Sequence, residues 1–419
     1  MKKNNFKNII GYDEVKITLD RLIDILNNQE KYEGLVNNIP KGLLLYGRPG
    51  TGKTSFSNAI INSVNRKNFI IRKSASDGSF IEYMRDIFEE AKKNQPSIIL
   101  LDDLDKFAVN DSEIENQEEF VAVQAFLDDI KDDDIFVIAT VNDKRILPSS
   151  LTRSGRFDIS IQIDNPSEKD SLEIIKHLLE KQNISKDVNA NNIACILNGS
   201  SCADLEKVCN QAGVYAGYLG KKEIGMNELI RASLEHKYDV CIEDLYKEDK
   251  YSLCTAYHEA GHTLVSYLLS PEEVSFVTIT KTSSTKRGIT IFHDNEYYFD
   301  DIDFMINRIK VLLAGKAATE IIYHKCDTGS SNDLDRAYGI VERLIEDYCM
   351  IDFNTKFRQI YSSNKTKKIE MNTNILITNM YNEVKEILIT NRKYLDDLAF
   401  ALNEKKILFE DDIKEIMKR

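Results

Sequence analysis

The sequence predicts an α/β domain, a parallel sheet flanked by helices, followed by a run of helices and then a mainly α-helical domain. Three observations predict it. Short apolar runs at residues 42–46, 97–101 and 135–140 have the length of buried strands and alternate with helical patterns, as the strands of a parallel sheet do. Residues 168–234 carry helical patterns separated by polar Asn, Ser and Gly breaks. Beyond residue 251 apolar residues recur chiefly at a period near 3.6, with two short segments, 274–280 and 289–293, that read as strands.

Composition bounds the function. A chain of 419 residues is too long for one ordinary core, so two to three domains are expected. Hydrophobic content of 42% and charged content of 29% describe a soluble globular protein. A net charge of −13 argues against a general binder of nucleic acid or membrane surfaces. Seven cysteines without a C-x-x-C pair suggest reduced thiols in a cytoplasmic compartment. Cys195, Cys202 and Cys209 recur every seven residues with no histidine among them, so small apolar fillers explain them better than a metal site. No run of 18 apolar residues and no signal peptide are visible, so no membrane span is expected in these residues.

In order along the chain, residues 13–26 form a helix with Val15, Leu19, Leu22 and Ile23 facing inward. The strand at 42–46 leads into Gly47-Arg48-Pro49-Gly50-Thr51-Gly52-Lys53-Thr54, a G-x-x-x-x-G-K-[ST] loop between strand and helix. Glycines there let backbone N–H groups wrap the phosphates of ATP. Lys53 reaches the outer phosphates, and the Thr54 hydroxyl binds Mg²⁺. The strand at 97–101 ends in Asp102-Asp103, placing Asp102 beside the Mg²⁺. The strand at 135–140 ends at Asn142, where a polar side chain can orient the attacking water. All three motifs fall at the carboxyl ends of strands, the active edge of such a sheet. Arg153 and Arg156 follow; they are either surface residues or arginine fingers reaching across a subunit boundary.

The second domain is organised around Tyr257-His258-Glu259-Ala260-Gly261-His262, an H-E-x-x-H pattern. Residues four apart lie on one helix face, so His258 and His262 can share one Zn²⁺. Zinc lowers the pKa of water from about 16 to near 7, so the neighbouring Glu259 carboxylate can take its proton. The alternative is a core helix that carries two histidines. Catalytic zinc takes three protein ligands, and the candidates for the third are Glu320, His324, Asp327 and Asp333. Asp333 stands in the first turn of a helix over 332–348, where an acidic group is also favourable for the helix itself. His293 and His324 read as ordinary histidines.

The order of these motifs resembles the FtsH-type AAA+ zinc metalloproteases. The resemblance runs from about residue 6 to 353 and is most specific at 39–42, 153–158, 255–262, 312–322 and 328–334. It implies domains at 1–165 (nucleotide-binding), 166–235 (helical lid), 236–250 (linker) and 251–419 (zinc metalloprotease). It further implies a hexameric homo-oligomeric ring, protein substrates, ATP, Mg²⁺ and one zinc per chain. It places the third zinc ligand at Asp333, leaving Glu320 as second choice, and makes Arg153 and Arg156 arginine fingers.

The chain also departs from the family. Members usually carry transmembrane helices ahead of the ATPase domain, whereas this sequence is expected to be cytoplasmic, with peripheral membrane association implied only by resemblance. Asp103 stands where the family has glutamate, and Cys202 stands where its lid signature has glycine. The pore segment runs from Ser76-Asp77-Gly78-Ser79-Phe80 almost directly into a helix over 82–93, with Phe80 as the candidate gripping residue. The expected function is ATP-dependent zinc endopeptidase action on loosely folded proteins. The alternative is an ATP-driven remodelling or assembly protein whose second domain is structural.

Overall fold

The computed structural model describes residues 5–36, 38–73, 79–107, 118–153, 155–240, 251–269, 274–281, 288–293, 301–325, 329–346, 348 and 363–418. The chain divides into two compact units, Met1–Leu229 and Ile230–Arg419.

The first unit opens with α1 (Asp13–Asn27) and the single turn α2 (Gln29–Tyr32). There follow β1 (Gly42–Tyr46), α3 (Lys53–Ser63), β2 (Lys67–Ile71), α4 (Ser79–Lys93), β3 (Ser97–Leu101), α5 (Glu118–Asp129), β4 (Ile135–Val141) and β5 (Ile159–Gln162). The five strands are parallel in the order β2-β3-β4-β1-β5. The central strands are apolar throughout because both faces are covered. Alternation divides their side chains: Leu44, Ile99, Leu101, Val137 and Ala139 pack on one face, with Phe88 and Phe120. Leu43, Leu45, Ile98, Leu100 and Ile138 pack on the other, with Leu19, Phe56 and Ile60. Each fully buried Leu or Ile contributes about 1.5–3 kcal/mol over an exposed one, so the register that aligns the strand ends is strongly fixed.

Sequence reading identified β1, β3 and β4 but not β2 or β5. Those two lie at the sheet edges, where alternate residues face water and the continuous apolar signal is lost. The lid helices α6 (Glu168–Leu179), α7 (Ala190–Ile196), α8 (Cys202–Tyr218) and α9 (Met226–Tyr238) fall where the breaks predict them. The expected lid end at 235 falls inside α9, and the division between units cuts the same helix after Leu229. Past that division, Tyr238 packs its ring 6.0 Å from Phe276 of the second unit.

The second unit is built on α10 (Ser252–Leu269) and α11 (Ile302–Tyr323), with β6 (Val274–Thr278) and β7 (Ile289–Phe292) between them in sequence. Then come α12 (Ser331–Glu346), α13 (Ser363–Thr390), α14 (Arg392–Lys405), β8 (Ile407–Phe409) and α15 (Glu410–Met417). A small antiparallel sheet has the order β7-β6-β8. Helices α10 and α11 approach closely through small residues. A Cβ on Gly261 would stand 2.6 Å from the Ala314 carbonyl oxygen and 2.8 Å from Ala318 Cβ, so only glycine permits this crossing. That approach lays the metal-motif helix against α11.

Candidate active sites

The nucleotide site forms at the carboxyl ends of β1, β3 and β4. Gly52 precedes α3 with φ 98°, a left-handed conformation that glycine adopts without strain, and the loop then opens onto the helix N-terminus. Lys53 is buried and its Nζ donates to the carbonyls of Gly47 (2.7 Å) and Arg48 (2.9 Å) and to Asn142 Oδ1 (2.9 Å). Burial pushes the Lys53 pKa down, opposed by the carboxylates of Asp103, Asp105 and Asp102. Thr140 donates to Asp102 Oδ1 at 2.9 Å and Thr54 at 3.3 Å, while Arg72 Nε donates to Oδ2 at 2.8 Å. The donor set suits Mg²⁺ and phosphate: a hydroxyl, a carboxylate, a lysine and helix N–H groups converge.

The structure adds Asp105, which the sequence reading passed over. Its Oδ2 accepts from Asn142 Nδ2 at 2.9 Å, fixing the amide so that Asn142 Oδ1 faces Lys53. The lid also reaches the loop within this unit. The backbone N–H of Ala203 donates to the Gly50 carbonyl at 3.1 Å, and Cys202 Sγ lies 3.3 Å from the Tyr12 hydroxyl.

Four expected residues have different surroundings. Asp103 has φ 56°, and its Oδ2 accepts from Lys106 Nζ at 2.7 Å. Arg156 forks onto Asp128, with Nε and Nη2 each 2.9 Å from a carboxylate oxygen, while Arg153 is exposed and has no ion pair among the described residues. Phe80 departs from its expected role. It lies within α4, 5% exposed, edge-on to Phe107 at 5.0 Å between ring centres. A ring buried in the sheet core has no free face with which to hold a polypeptide. Residues Ser76, Asp77 and Gly78 of the expected pore segment lie outside the described residues.

The ligands of the metal centre come from two elements. His258 and His262 project from one face of α10, and Asp333 comes from the first turn of α12. Nε2 of His258 and Nε2 of His262 are 3.1 Å apart, and Asp333 Oδ2 lies 3.3 Å and 3.5 Å from them. Three donors of one tetrahedral zinc, at bonds of about 2.0–2.1 Å, are separated by roughly 3.3 Å. The donor set therefore fits zinc in kind and in spacing.

The surroundings fit as well. A Cβ on Gly315 of α11 would stand 2.5 Å from His262 Nε2 and 2.6 Å from His258 Nε2, so α11 leaves the space the imidazoles need. His262 Nδ1 donates to the Val311 carbonyl at 2.7 Å, which leaves Nε2 as the ligating nitrogen. Burial works against charge on Asp333, but hydrogen bonds from His258 and His262 hold its carboxyl well below the usual range. His262 is pushed up against the opposing effect of burial, chiefly by Asp333 and Glu259.

The other third-ligand candidates lie elsewhere. Glu320 accepts from Tyr381 Oη at 2.5 Å and Lys385 Nζ at 2.6 Å on α13. His324 is exposed at the left-handed end of α11, His293 pairs with Glu410 at 3.1 Å, and Asp327 is outside the described residues. Glu259 is buried beside the ligands, and its Oε2 accepts from Thr290 Oγ1 of β7 at 2.6 Å. Val311, Gly315 and Thr290 were missed because each acts through a backbone group, an absent side chain or a distant strand. The run Ala314-Gly315-Lys316-Ala317-Ala318 was the one available signal, since small residues mark close helix approach.

Comparison with known proteins matches the two stretches of chain that carry these centres. Residues 43–165 match the ATPase family associated with various cellular activities (AAA), and residues 245–416 match peptidase family M41. The chain is 29% identical to ATP-dependent zinc metalloprotease FtsH 2 of Thermoanaerobacter sp. (strain X514), over 98% of this chain and 82% of that protein. It is 31% identical to FtsH 2 of Salinibacter ruber (strain M8), over 83% of this chain but only 53% of that protein. It is 29% identical to FtsH of Caldicellulosiruptor bescii, over 99% of this chain and 72% of that protein.

Fold and site thus define a class in which an AAA ATPase domain and an M41 peptidase domain occupy one chain. The chain belongs to the FtsH-type AAA+ zinc metalloproteases. No helix among the described residues is long and apolar enough to cross a membrane.

Proposed function

We propose that this chain is an ATP-dependent zinc metalloendopeptidase that degrades unfolded or loosely folded proteins as a homo-oligomeric, hexameric ring. The observation that carries the reading is the spacing of His258, His262 and Asp333, 3.1–3.5 Å between ligating atoms, beside the buried Glu259 carboxylate. Zinc, when bound by these residues, polarises a peptide carbonyl and acidifies water. Glu259 accepts the proton of the attacking water and delivers it to the leaving amine. His262 keeps its ligating nitrogen free by committing its other N–H to Val311. Strand β7, which has no second strand partner among the described residues, offers main-chain groups to an extended peptide, which favours unfolded substrates over folded ones.

In the ATPase domain, Lys53 and the loop N–H groups hold the phosphates, Thr54 and Asp102 hold Mg²⁺, and Asn142 and Asp103 address the attacking water. Arg153, exposed and without an ion pair among the described residues, is the better placed of the two arginines to reach a neighbouring subunit's nucleotide. Slow ATP turnover is part of this reading. Asp103 is one methylene shorter than glutamate, and Lys106 draws its carboxylate aside. A cytoplasmic setting rests on seven cysteines with no C-x-x-C pair among them.

The test is casein cleavage by the purified chain with and without a chelator, with and without ATP, and in Glu259→Gln. Cleavage that survives both the chelator and Glu259→Gln would sink the peptidase reading. A chain that binds zinc and ATP yet never cleaves would favour remodelling.

A further inference from the structure

Glu259 is held by a strand distant in sequence. A β-strand turns alternate residues to one face, so Thr290 and Phe292 share a face of β7, and Gly288, just ahead of the strand, lies against the Glu259 carboxylate. Phe292 packs against the core cluster to which Ala260, Leu264 and Val265 of α10 belong. Thr290 Oγ1 donates to Glu259 Oε2 at 2.6 Å, and Oε1 carries no hydrogen bond among the described residues. A Cβ on Gly288 would overlap Oε1 and stand 2.7 Å from Glu259 Cγ. The strand therefore supplies, in order, a gap for the carboxylate, a hydroxyl that grips it and a hydrophobic anchor.

We propose that Thr290 is a positioning residue for peptide hydrolysis, fixing the Glu259 carboxylate through Oε2 so that Oε1 is the oxygen that receives the proton. The terminal torsion of a glutamate is broad and selects no orientation by itself. One short hydrogen bond from a rigid strand supplies the selection, and Gly288 makes the close approach sterically allowed. Strand β7 pairs with β6 on one side and has no strand partner on the other among the described residues. The element that orients the base is thus also the one whose free edge can align an extended substrate. The inference rests on Glu259 acting as the proton acceptor, as proposed above.

The experiment compares wild type, Thr290→Val and Thr290→Ser as full chains on casein, with kcat, KM and zinc per chain measured for each. Valine keeps the shape and removes the hydroxyl, and serine keeps the hydroxyl. Thr290→Val is expected to lower kcat about ten- to a hundred-fold, the scale of a misplaced catalytic group, with KM and zinc content unchanged. Thr290→Ser is expected to stay within about two-fold of wild type on the same argument. An unchanged kcat in Thr290→Val overturns the proposal while leaving the peptidase reading intact. Loss of zinc together with kcat in Thr290→Val, or no rescue by serine, overturns it in favour of a purely structural role. A wild-type chain that does not cleave casein removes both.

Discussion

Asp333 decides the metal centre at the scale of single residues, because it is the one ligand that α10 does not carry. Asp333→Ala is expected to lose zinc or reduce peptidase activity by at least ten-fold, as loss of a charged ligand does, while nucleotide binding is retained. Metal analysis and a fluorescent-nucleotide titration read the two effects separately, and full zinc occupancy in the variant would remove Asp333 from the site. Asp103 makes the matching case in the ATPase domain. Its carboxylate stops about 1.5 Å short of a glutamate's, and a shift of that size can cost on the order of a hundred-fold in rate. Asp103→Glu should therefore raise ATP turnover, measured by phosphate release. A variant that is unchanged or slower would mean the Asp103 to Lys106 pairing has already been accommodated. His258, Glu259 and His262 were legible in sequence because they sit within one helical turn. Asp333, 71 residues beyond His262, was placed by resemblance alone until the structure gave its distances.

Helix α13 shows how an element can relocate a candidate. It holds Glu320 through Tyr381 and Lys385, and those bonds lower the Glu320 pKa from its ordinary 4.5. A carboxylate with a lowered folded-state pKa stabilises the fold above its unfolded value and loses that contribution as pH falls through the folded one. Glu320→Gln should thus lower the melting temperature at pH 7, and the gap from wild type should narrow below about pH 4.5. Zinc content should not change, and a fall in it would return Glu320 to the metal. Helix α4 makes a similar point for Phe80. Truncating a buried aromatic costs about 3–5 kcal/mol, so Phe80→Ala should unfold at markedly lower denaturant. Unchanged stability with selective loss of ATP-driven degradation would restore a gripping role. The short interval between Ser76-Asp77 and the helix was visible in sequence, but the burial of Phe80 was not. Burial depends on Phe107 and the β-sheet behind it, which no local pattern reports.

For the whole molecule, the two sites make different demands on a substrate. The peptidase site, beside an edge strand β7 that has no second strand partner among the described residues, suits a chain already extended. Driving a folded protein towards it needs ATP turnover and a grip, and here Asp103 is short and Phe80 is buried. Casein should be cleaved readily with zinc and lose little rate without ATP. A tagged, stably folded substrate should be degraded slowly at best even with ATP. Rapid ATP-driven degradation of the folded substrate would show that another residue grips it.

The sequence by itself determined the order of the domains, the phosphate loop, the Asp102 and Asn142 strand ends and the histidine pair. Each of these is written locally, as a strand running into a loop or as two side chains one helical turn apart, and local geometry is set by backbone sterics. What the tertiary structure decided is the convergence: Asp333 on the histidines, Asp105 on Asn142, Thr290 on Glu259, and α10 on α11 through Gly261 and Gly315. Those contacts join residues on different elements. Their distances follow from how helices and strands pack, which depends on the volume of every side chain between them and leaves no pattern in the sequence around either partner.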